Sequence, residues 1–209
     1  MDKKNIALTV FLSVLAVLFL MPIITVFINS FKGQFYIADM PFKLPNADTF
    51  TGFENYVRGI EKTGFEKAFA YSLFITVFSV AVIVFFPSMT AWYIVRVNDT
   101  LSRFLYFAFV LSMVIPFQMI MFTLVKLANL FALDNPVGII AVYLGLGSGL
   151  SVFMYCGFVK SIPLEIEEAA MVDGCNPPTT FFKIILPILK PIAITVAILN
   201  AMWIWNDYL

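Results

Sequence analysis

The sequence predicts an all-α integral membrane protein with five transmembrane helices. The chain is 61% hydrophobic and 12% charged, whereas a soluble domain is usually about 45–50% apolar and about 25% charged. Several uncharged runs also reach the length of about 20 residues that an α-helix needs to cross the hydrocarbon core of a bilayer. Composition and run length therefore exclude a soluble domain with a large core.

The first predicted span covers residues 6–28 and follows two lysines, which we expect on the cytoplasmic side. A cleaved secretory signal is the alternative, but the run is too long for a signal peptide and ends without an A-x-A-like cleavage site. The hydrophilic residues 33–67 predict an external loop with a short helix near residues 53–60. Residues 1–67 thus form one predicted region, an N-terminal helix with its extracellular loop.

Four more apolar runs predict the other spans, at residues 68–95, 104–125, 137–159 and 191–209. Pro87 lies inside one of them and predicts a kink, because proline lacks the N–H of a helical hydrogen bond. Another contains the glycine-rich residues 145–151. A Gly-x-Gly string can mark a phosphate site, but this one follows no predicted strand, and it indicates a closely packed membrane helix.

The distribution of Lys and Arg orients these spans. Seven of these residues lie on the predicted cytoplasmic side and six on the other, and five of those six belong to one longer loop. Short loops carry most weight in the positive-inside rule. Arg96 and Arg103, which bracket a short loop, are therefore predicted to be cytoplasmic, and so are residues 160–190.

Residues 160–190 form a long polar interruption between the last two predicted spans. We expect a helix from Ser161 to Gly174, with Ser161 as N-cap, Pro163 in the first turn and Gly174 in the left-handed conformation that ends a helix. Three glutamates lie towards the positive end of its dipole. An interfacial helix that only links two spans is the alternative. Four residues share one side and predict a shallow contact surface: Ile162, Ile166, Ala169 and Ala170.

Seven residues of this loop match a fixed pattern of Glu-Ala-Ala, three residues, Gly, nine residues, Ile-x-Leu-Pro. They are Glu168, Ala169, Ala170, Gly174, Ile184, Leu186 and Pro187. The pattern resembles the EAA signature of ABC importer permeases. The stretches GFVKSIPLEIEEAA, ILPILKP and WIWNDYL resemble the carbohydrate-type, maltose-like branch of that family. The similarity extends over most of the chain.

The resemblance implies that the loop forms a cytoplasmic coupling helix that docks on an ABC ATPase subunit. It implies a role in ATPase coupling for eight residues: Glu168, Ala169, Ala170, Asp173, Gly174, Ile184, Leu186 and Pro187. Purely structural roles for Ala170 and Pro187 are the alternative. The chain itself would need no cofactor, because ATP would bind the partner ATPase and this sequence has no P-loop.

The resemblance also implies the partners and the location. The partners are ABC ATPase subunits, a second permease subunit, an extracellular sugar-binding protein and membrane lipid, in the cytoplasmic membrane of a bacterium. The imported substrate would be a sugar or oligosaccharide. Family members add a sixth helix after the WND segment, so residues 68–209 are expected to form a permease core without its last span. The zero net charge does not favour nucleic acid as a partner.

Three side chains inside the predicted spans are candidates for the sugar pathway: Gln118, Asn200 and Trp203. Sugars are commonly held by aromatic faces together with amide hydrogen bonds. The alternatives are structural. A lone Gln or Asn often hydrogen-bonds a neighbouring helix, and a Trp near the membrane surface is often an interfacial anchor.

Other function classes find less support in the sequence. An enzyme is not predicted, because the chain has no histidine, no HExxH or GxSxG motif and no paired carboxylates in its spans. Two cysteines predict neither a disulfide framework nor a metal site. A secondary transporter or channel-like protein not driven by ATP is the alternative function, although such proteins usually place ionisable groups at the membrane midplane.

Overall fold

The computed structural model describes residues 3–207. These residues are helical apart from connecting loops and one antiparallel bridge between Lys32 and Phe50, which confirms the predicted all-α fold. A π-helical turn covers Phe181–Ile185. The helices are α1 (Lys3–Asn29), α2 (Gln34–Asp39), α3 (Glu54–Thr63), α4 (Phe65–Val97), α5 (Thr100–Val114), α6 (Phe117–Leu130), α7 (Gly138–Val159), α8 (Glu165–Val172), α9 (Pro177–Thr180), α10 (Leu186–Ile188) and α11 (Lys190–Asn206).

Three helices of the described residues, α1, α4 and α7, are each long and apolar enough to cross a membrane. Two further pairs pass the same criterion but are bent. The chain bends by 109° between α5 and α6, and by 72° between the α9–α10 segment and α11. Five spans result when each bent pair counts as one, which agrees with the predicted number.

The span predicted at residues 104–125 is not one continuous helix. Pro116 separates α5 from α6, because it has no N–H to donate and because it disfavours helical geometry in the residue before it. That residue, Ile115, is extended, with φ −75° and ψ 118°. Pro87 has a smaller effect, since α4 runs through it without interruption.

The first compact unit, Met1–Ala68, contains α1 to α3. The span in α1 is exposed along its length within the chain, as expected for a helix that contacts lipid. After α1, the buried Lys32 ammonium donates to Asn29 Oδ1 at 2.9 Å and to the Met40 carbonyl at 2.7 Å. These bonds hold the start of the hydrophilic segment against the end of α1. The short helix predicted in this segment is present as α3.

The second compact unit, Phe69–Leu209, has its core between α4, α7 and the segment that ends in α11. Close approach depends on Gly147 of α7, where a Cβ would lie 2.7 Å from Ile83 Cδ1 and 2.8 Å from Asn200 Oδ1. The glycine-rich run is therefore part of a closely packed helix, as predicted. Eight side chains of this core are fully buried: Ile83, Ala91, Val152, Tyr155, Val159, Ile185, Leu189 and Val196.

Candidate functional site

The loop between α7 and α11 contains α8, which begins at Glu165. The prediction that Ser161 caps this helix is wrong. Its hydroxyl donates to the Phe158 carbonyl at 2.7 Å, and its N–H donates to the same carbonyl at 2.9 Å. Ser161 thus belongs to the end of α7, whereas Leu164 precedes the first residue of α8 and gives it no side-chain cap. Pro163 lies before α8 rather than in its first turn.

The end of α8 agrees with the prediction. Gly174 has φ +84°, a left-handed conformation that glycine adopts without steric cost. Its N–H donates to the Met171 carbonyl at 3.0 Å, and the Cys175 N–H donates to the Ala170 carbonyl at 2.9 Å. These two bonds form a Schellman motif, which satisfies two of the helix's last carbonyls.

A buried ion pair attaches α8 to the end of α4. The Glu167 side chain is 2% exposed, and its Oε1 accepts a hydrogen bond from Arg96 Nε at 2.7 Å. Its Oε2 accepts a hydrogen bond from Trp92 Nε1 at 3.0 Å. Arg96 Nη2 also donates to the Ile162 carbonyl at 3.0 Å. Both carboxylate oxygens are therefore satisfied, as a buried charge requires.

This anchor was missed by the sequence reasoning, which treated the glutamates of α8 as one acidic group. A signal for it was nevertheless present. Trp92 and Arg96 are four residues apart in α4 and therefore share a face of that helix. An arginine at the end of an apolar span, close to the membrane surface, favours a carboxylate partner. The sequence alone did not show that Glu167 is this partner.

The predicted contact surface of α8 is divided between two faces. Ile162 and Ala170 are buried inside the protein, Ala170 with 5% of its surface exposed, whereas Ile166 and Ala169 are exposed. Only part of the expected surface is therefore available to a partner. The structural alternative for Ala170 fits its position.

The outward face of α8 combines charge with apolar surface. Glu165, Glu168 and Asp173 are exposed. Val172, the last residue of the helix, has 87% of its surface exposed. An apolar side chain that is exposed next to carboxylates on a helix facing water is typical of a surface that a partner protein covers.

A second connection leads from α8 to α11. Asn176 caps α9 by accepting the Thr179 N–H at 2.9 Å. The ring of Phe181, at the start of the π-helical turn, lies 5.4 Å from the ring of Trp92. Trp92 therefore touches both parts of the loop, because it also donates to Glu167.

The end of the motif lies where the chain turns into α11. Ile184 and Leu186 are half-buried and Pro187 is exposed. Pro187 and Pro191 have no N–H to donate to the preceding turn, which accounts for the 72° bend between α10 and α11. The π-helical turn before them is a form that often occurs at functional sites. The position of Pro187 suits its predicted role in setting the direction of this span.

The three candidates for the sugar pathway differ in their burial and their contacts. Asn200 is buried, and its Nδ2 donates to Ser151 Oγ of α7 at 3.3 Å and to the Val196 carbonyl at 2.9 Å. This geometry fits the alternative of a bond between helices. Gln118 is exposed in the first turn of α6, beside the break at Pro116.

Trp203 is partly exposed and packs on α7. Its ring centroid lies 5.6 Å from that of Tyr143, at an interplanar angle of 89°. The Tyr143 hydroxyl donates to Asp207 Oδ2 at 3.3 Å. The end of α11 is thus held against α7 by an aromatic contact and a hydrogen bond. No group of three or more His, Cys, Asp or Glu side chains that could hold a metal ion occurs in residues 3–207.

The chain is similar to known transport proteins over most of its length. Residues 83–209 match the family described as "Binding-protein-dependent transport system inner membrane component". The chain is 40% identical over 196 residues to the "Probable starch degradation products transport system permease protein AmyC" of Thermoanaerobacterium thermosulfurigenes. The aligned residues cover 94% of this chain and 70% of that protein. This chain is 36% identical to the "Multiple sugar-binding transport system permease protein MsmG" of Streptococcus mutans, covering 96% and 72% of the two chains.

A solved structure has the same fold. A chain of a bacterial ABC transporter "involved in the import of the acidic polysaccharide alginate" superposes with a TM-score of 0.84 and 26% identity, covering 100% of this chain and 74% of that chain. The relatives are transport permeases rather than enzymes. Fold, EAA pattern and similarity agree, and the chain belongs to the binding-protein-dependent transport system inner membrane components, among the sugar ABC transporter permeases.

Proposed function

We propose that this protein is the permease subunit of an ATP-driven importer that carries a sugar or oligosaccharide across the cytoplasmic membrane of a bacterium. An extracellular binding protein delivers the sugar, a second permease subunit completes the pathway, and two ABC ATPase subunits drive it. The chain needs no cofactor of its own, because ATP binds the ATPases. The names of its relatives, which refer to starch products and multiple sugars, support the substrate class.

The observation that carries this proposal is that α8 is exposed on one side and anchored on the other. The helix presents Glu168, Ala169 and Val172 outwards, while Glu167 ties its inner side to α4 through Arg96. A helix that is exposed on one side and held by a buried ion pair on the other can transmit force from a docked partner. An interfacial helix that only links two spans has no need of such an anchor.

The same geometry supplies a mechanism for coupling. When the ATPase dimer closes on ATP, it moves α8. Arg96 and Trp92 pass this movement to α4, and the α9 segment with Phe181 passes it to α11. Two spans of the second compact unit therefore move together, which changes the side of the membrane to which the sugar pathway opens.

Uptake of radiolabelled sugar by cells tests the proposal. We expect Glu168→Lys to reduce ATP-dependent uptake at least tenfold, because a reversed charge on the outward face opposes docking of the ATPase. Glu61→Lys makes the same charge change in the exposed external helix α3 and should leave uptake unchanged. Both variants should reach the membrane in normal amounts.

Two results would contradict the proposal. Normal uptake in Glu168→Lys would remove the coupling role from the outward face of α8. Uptake that persists at the normal rate in cells without the ATPase gene would favour the alternative, a secondary transporter or channel-like protein that is not driven by ATP.

A further inference from the structure

A cavity of about 510 Å³ lies between α4, α5 and α7, at the start of the loop that contains α8. Ile94 and Cys156 contribute apolar surface to it. α5 packs closely along α7, and Cys156 Sγ lies 3.8 Å from the Ala91 carbonyl of α4, so all three helices meet there. Five of its lining side chains carry N–H or O–H donors, and the Ser102 hydroxyl already donates to Asp99. The other four are Asn98, Arg103, Tyr106 and Lys160.

The charge of this cavity is positive. Arg103 and Lys160 line it, no carboxylate does, and neither side chain takes part in an ion pair within the described part of the chain. Lys160 Nζ lies 5.5 Å from the centroid of the Tyr106 ring, a cation–π contact that keeps the ammonium at the cavity wall. Two exposed cations, one on α5 and one at the end of α7, therefore line the same open cavity.

The nearby Asp99 offsets part of the Arg103 charge but does not line the cavity, because its carboxylate caps α5. Asp99 Oδ1 accepts hydrogen bonds from the Ser102 hydroxyl and the Ser102 N–H, each at 2.7 Å. These hydrogen bonds, with a smaller contribution from the Arg103 charge, hold the pKa of Asp99 below its usual value. The carboxylate is thus ionised and directed at the start of α5.

We propose that this cavity binds the phosphate headgroup of an anionic membrane phospholipid at the cytoplasmic surface. Basic pockets between transmembrane helices on the cytoplasmic side are suited to anionic headgroups, which are abundant in that leaflet. Arg103, Lys160 and the Tyr106 hydroxyl supply donors for the phosphate. Exposed apolar residues on the first turns of α5, Leu101 and Phe104, offer a surface to the acyl chains.

The site lies close to the coupling anchor. Ile94 and Val95 of the cavity wall directly precede Arg96, which holds Glu167. A bound headgroup would brace the end of α4 to which α8 is attached. The proposal depends on the orientation of the chain in the membrane and not on ATP coupling, so binding can be measured without transport.

Native mass spectrometry of the full-length protein, purified in mild detergent with its copurifying subunits, tests the site. Phosphatidylglycerol and phosphatidylcholine with identical acyl chains are titrated in parallel, and glycerol phosphate is added as a soluble anion. We expect one tightly retained phosphatidylglycerol per chain, and a loss of affinity of about 30-fold in the double variant Arg103→Gln with Lys160→Gln, as expected when two basic side chains at a membrane surface are removed.

The double variant Lys183→Gln with Lys190→Gln is the matched control, because it removes two exposed cations on the same predicted side outside the cavity. It should retain the lipid. Equal affinity for the two lipids, or unchanged binding in the cavity variant, would overturn the proposal. Displacement by glycerol phosphate at the lipid's own concentration would also overturn it and assign the site to a soluble anion. The comparison of lipids in the unaltered protein stands even if the cavity variant fails to fold.

Discussion

At the scale of single residues, Glu167 is a carboxylate buried within the second unit. A buried charge is costly to leave without a partner, and removing one member of such a pair typically destabilises a protein by about 3–5 kcal/mol. Arg96 and Trp92 satisfy both oxygens of Glu167, so the pair fixes where α8 lies on α4. The pair sets geometry more than it adds net stability, because desolvation offsets much of its attraction.

Arg96→Gln should therefore lower both stability and uptake, because it leaves Glu167 buried without its counter-charge. We expect a loss of about 3–5 kcal/mol, measured as a lower melting temperature in detergent. Arg58→Gln is the control, because its pair with Glu54 is exposed within one helix and such pairs contribute about 0–1 kcal/mol.

A double-mutant cycle separates the ion pair from other effects of the substitution. Arg96→Gln combined with Glu167→Gln should recover part of the loss, because no charge then stays unpaired. Losses that simply add in the double variant would show that the two side chains act independently and would contradict the anchor.

At the scale of elements, α7 contacts α4, α5 and α11. Gly147 brings it close to Ile83 of α4 and to Asn200 of α11 in the same place. Small residues allow such close approach between membrane helices, where packing replaces much of the hydrophobic driving force. The contact between these spans thus depends on a position where an added Cβ would force Ile83 or Asn200 to shift.

Gly147→Ala should destabilise the protein by about 1–3 kcal/mol, since its Cβ would overlap with Ile83 and Asn200 in a packed core. Gly157→Ala, in the same helix, has no neighbouring atom within 4 Å of the added Cβ and should leave the melting temperature unchanged or slightly higher. The order of the two melting temperatures in detergent checks this, and equal values would contradict the packing described.

The helices also show which structural features can be predicted from the sequence alone. Hydropathy located all five apolar segments, because membrane thickness sets their length. Residue type located the end of α8, because glycine adopts the left-handed conformation of Gly174 without steric cost. The break at Pro116 was missed because its surroundings are uniformly apolar. The partner of Glu167 was missed because Arg96 is 71 residues away in sequence, and only tertiary packing brings the two together.

At the scale of the whole molecule, the second compact unit forms one connected path from α8 to the spans. α8 reaches α4 through Glu167 and reaches α11 through α9 and the π-helical turn, while Trp92 contacts both routes. A force on the outward face of α8 therefore acts on both α4 and α11. The same fold occurs in a chain of an alginate importer.

Photocrosslinking tests the central claim, the docking of an ATPase on the outward face of α8, most directly. Benzoylphenylalanine replaces Val172 on this face in one variant and the exposed Phe104 of α5 in a second, in cells that express the complete importer. We predict that irradiation joins the Val172→benzoylphenylalanine variant to an ABC ATPase subunit and that the Phe104 variant gives no such product. Equal yields of ATPase adduct from both positions, or no ATPase adduct from position 172, would contradict the account.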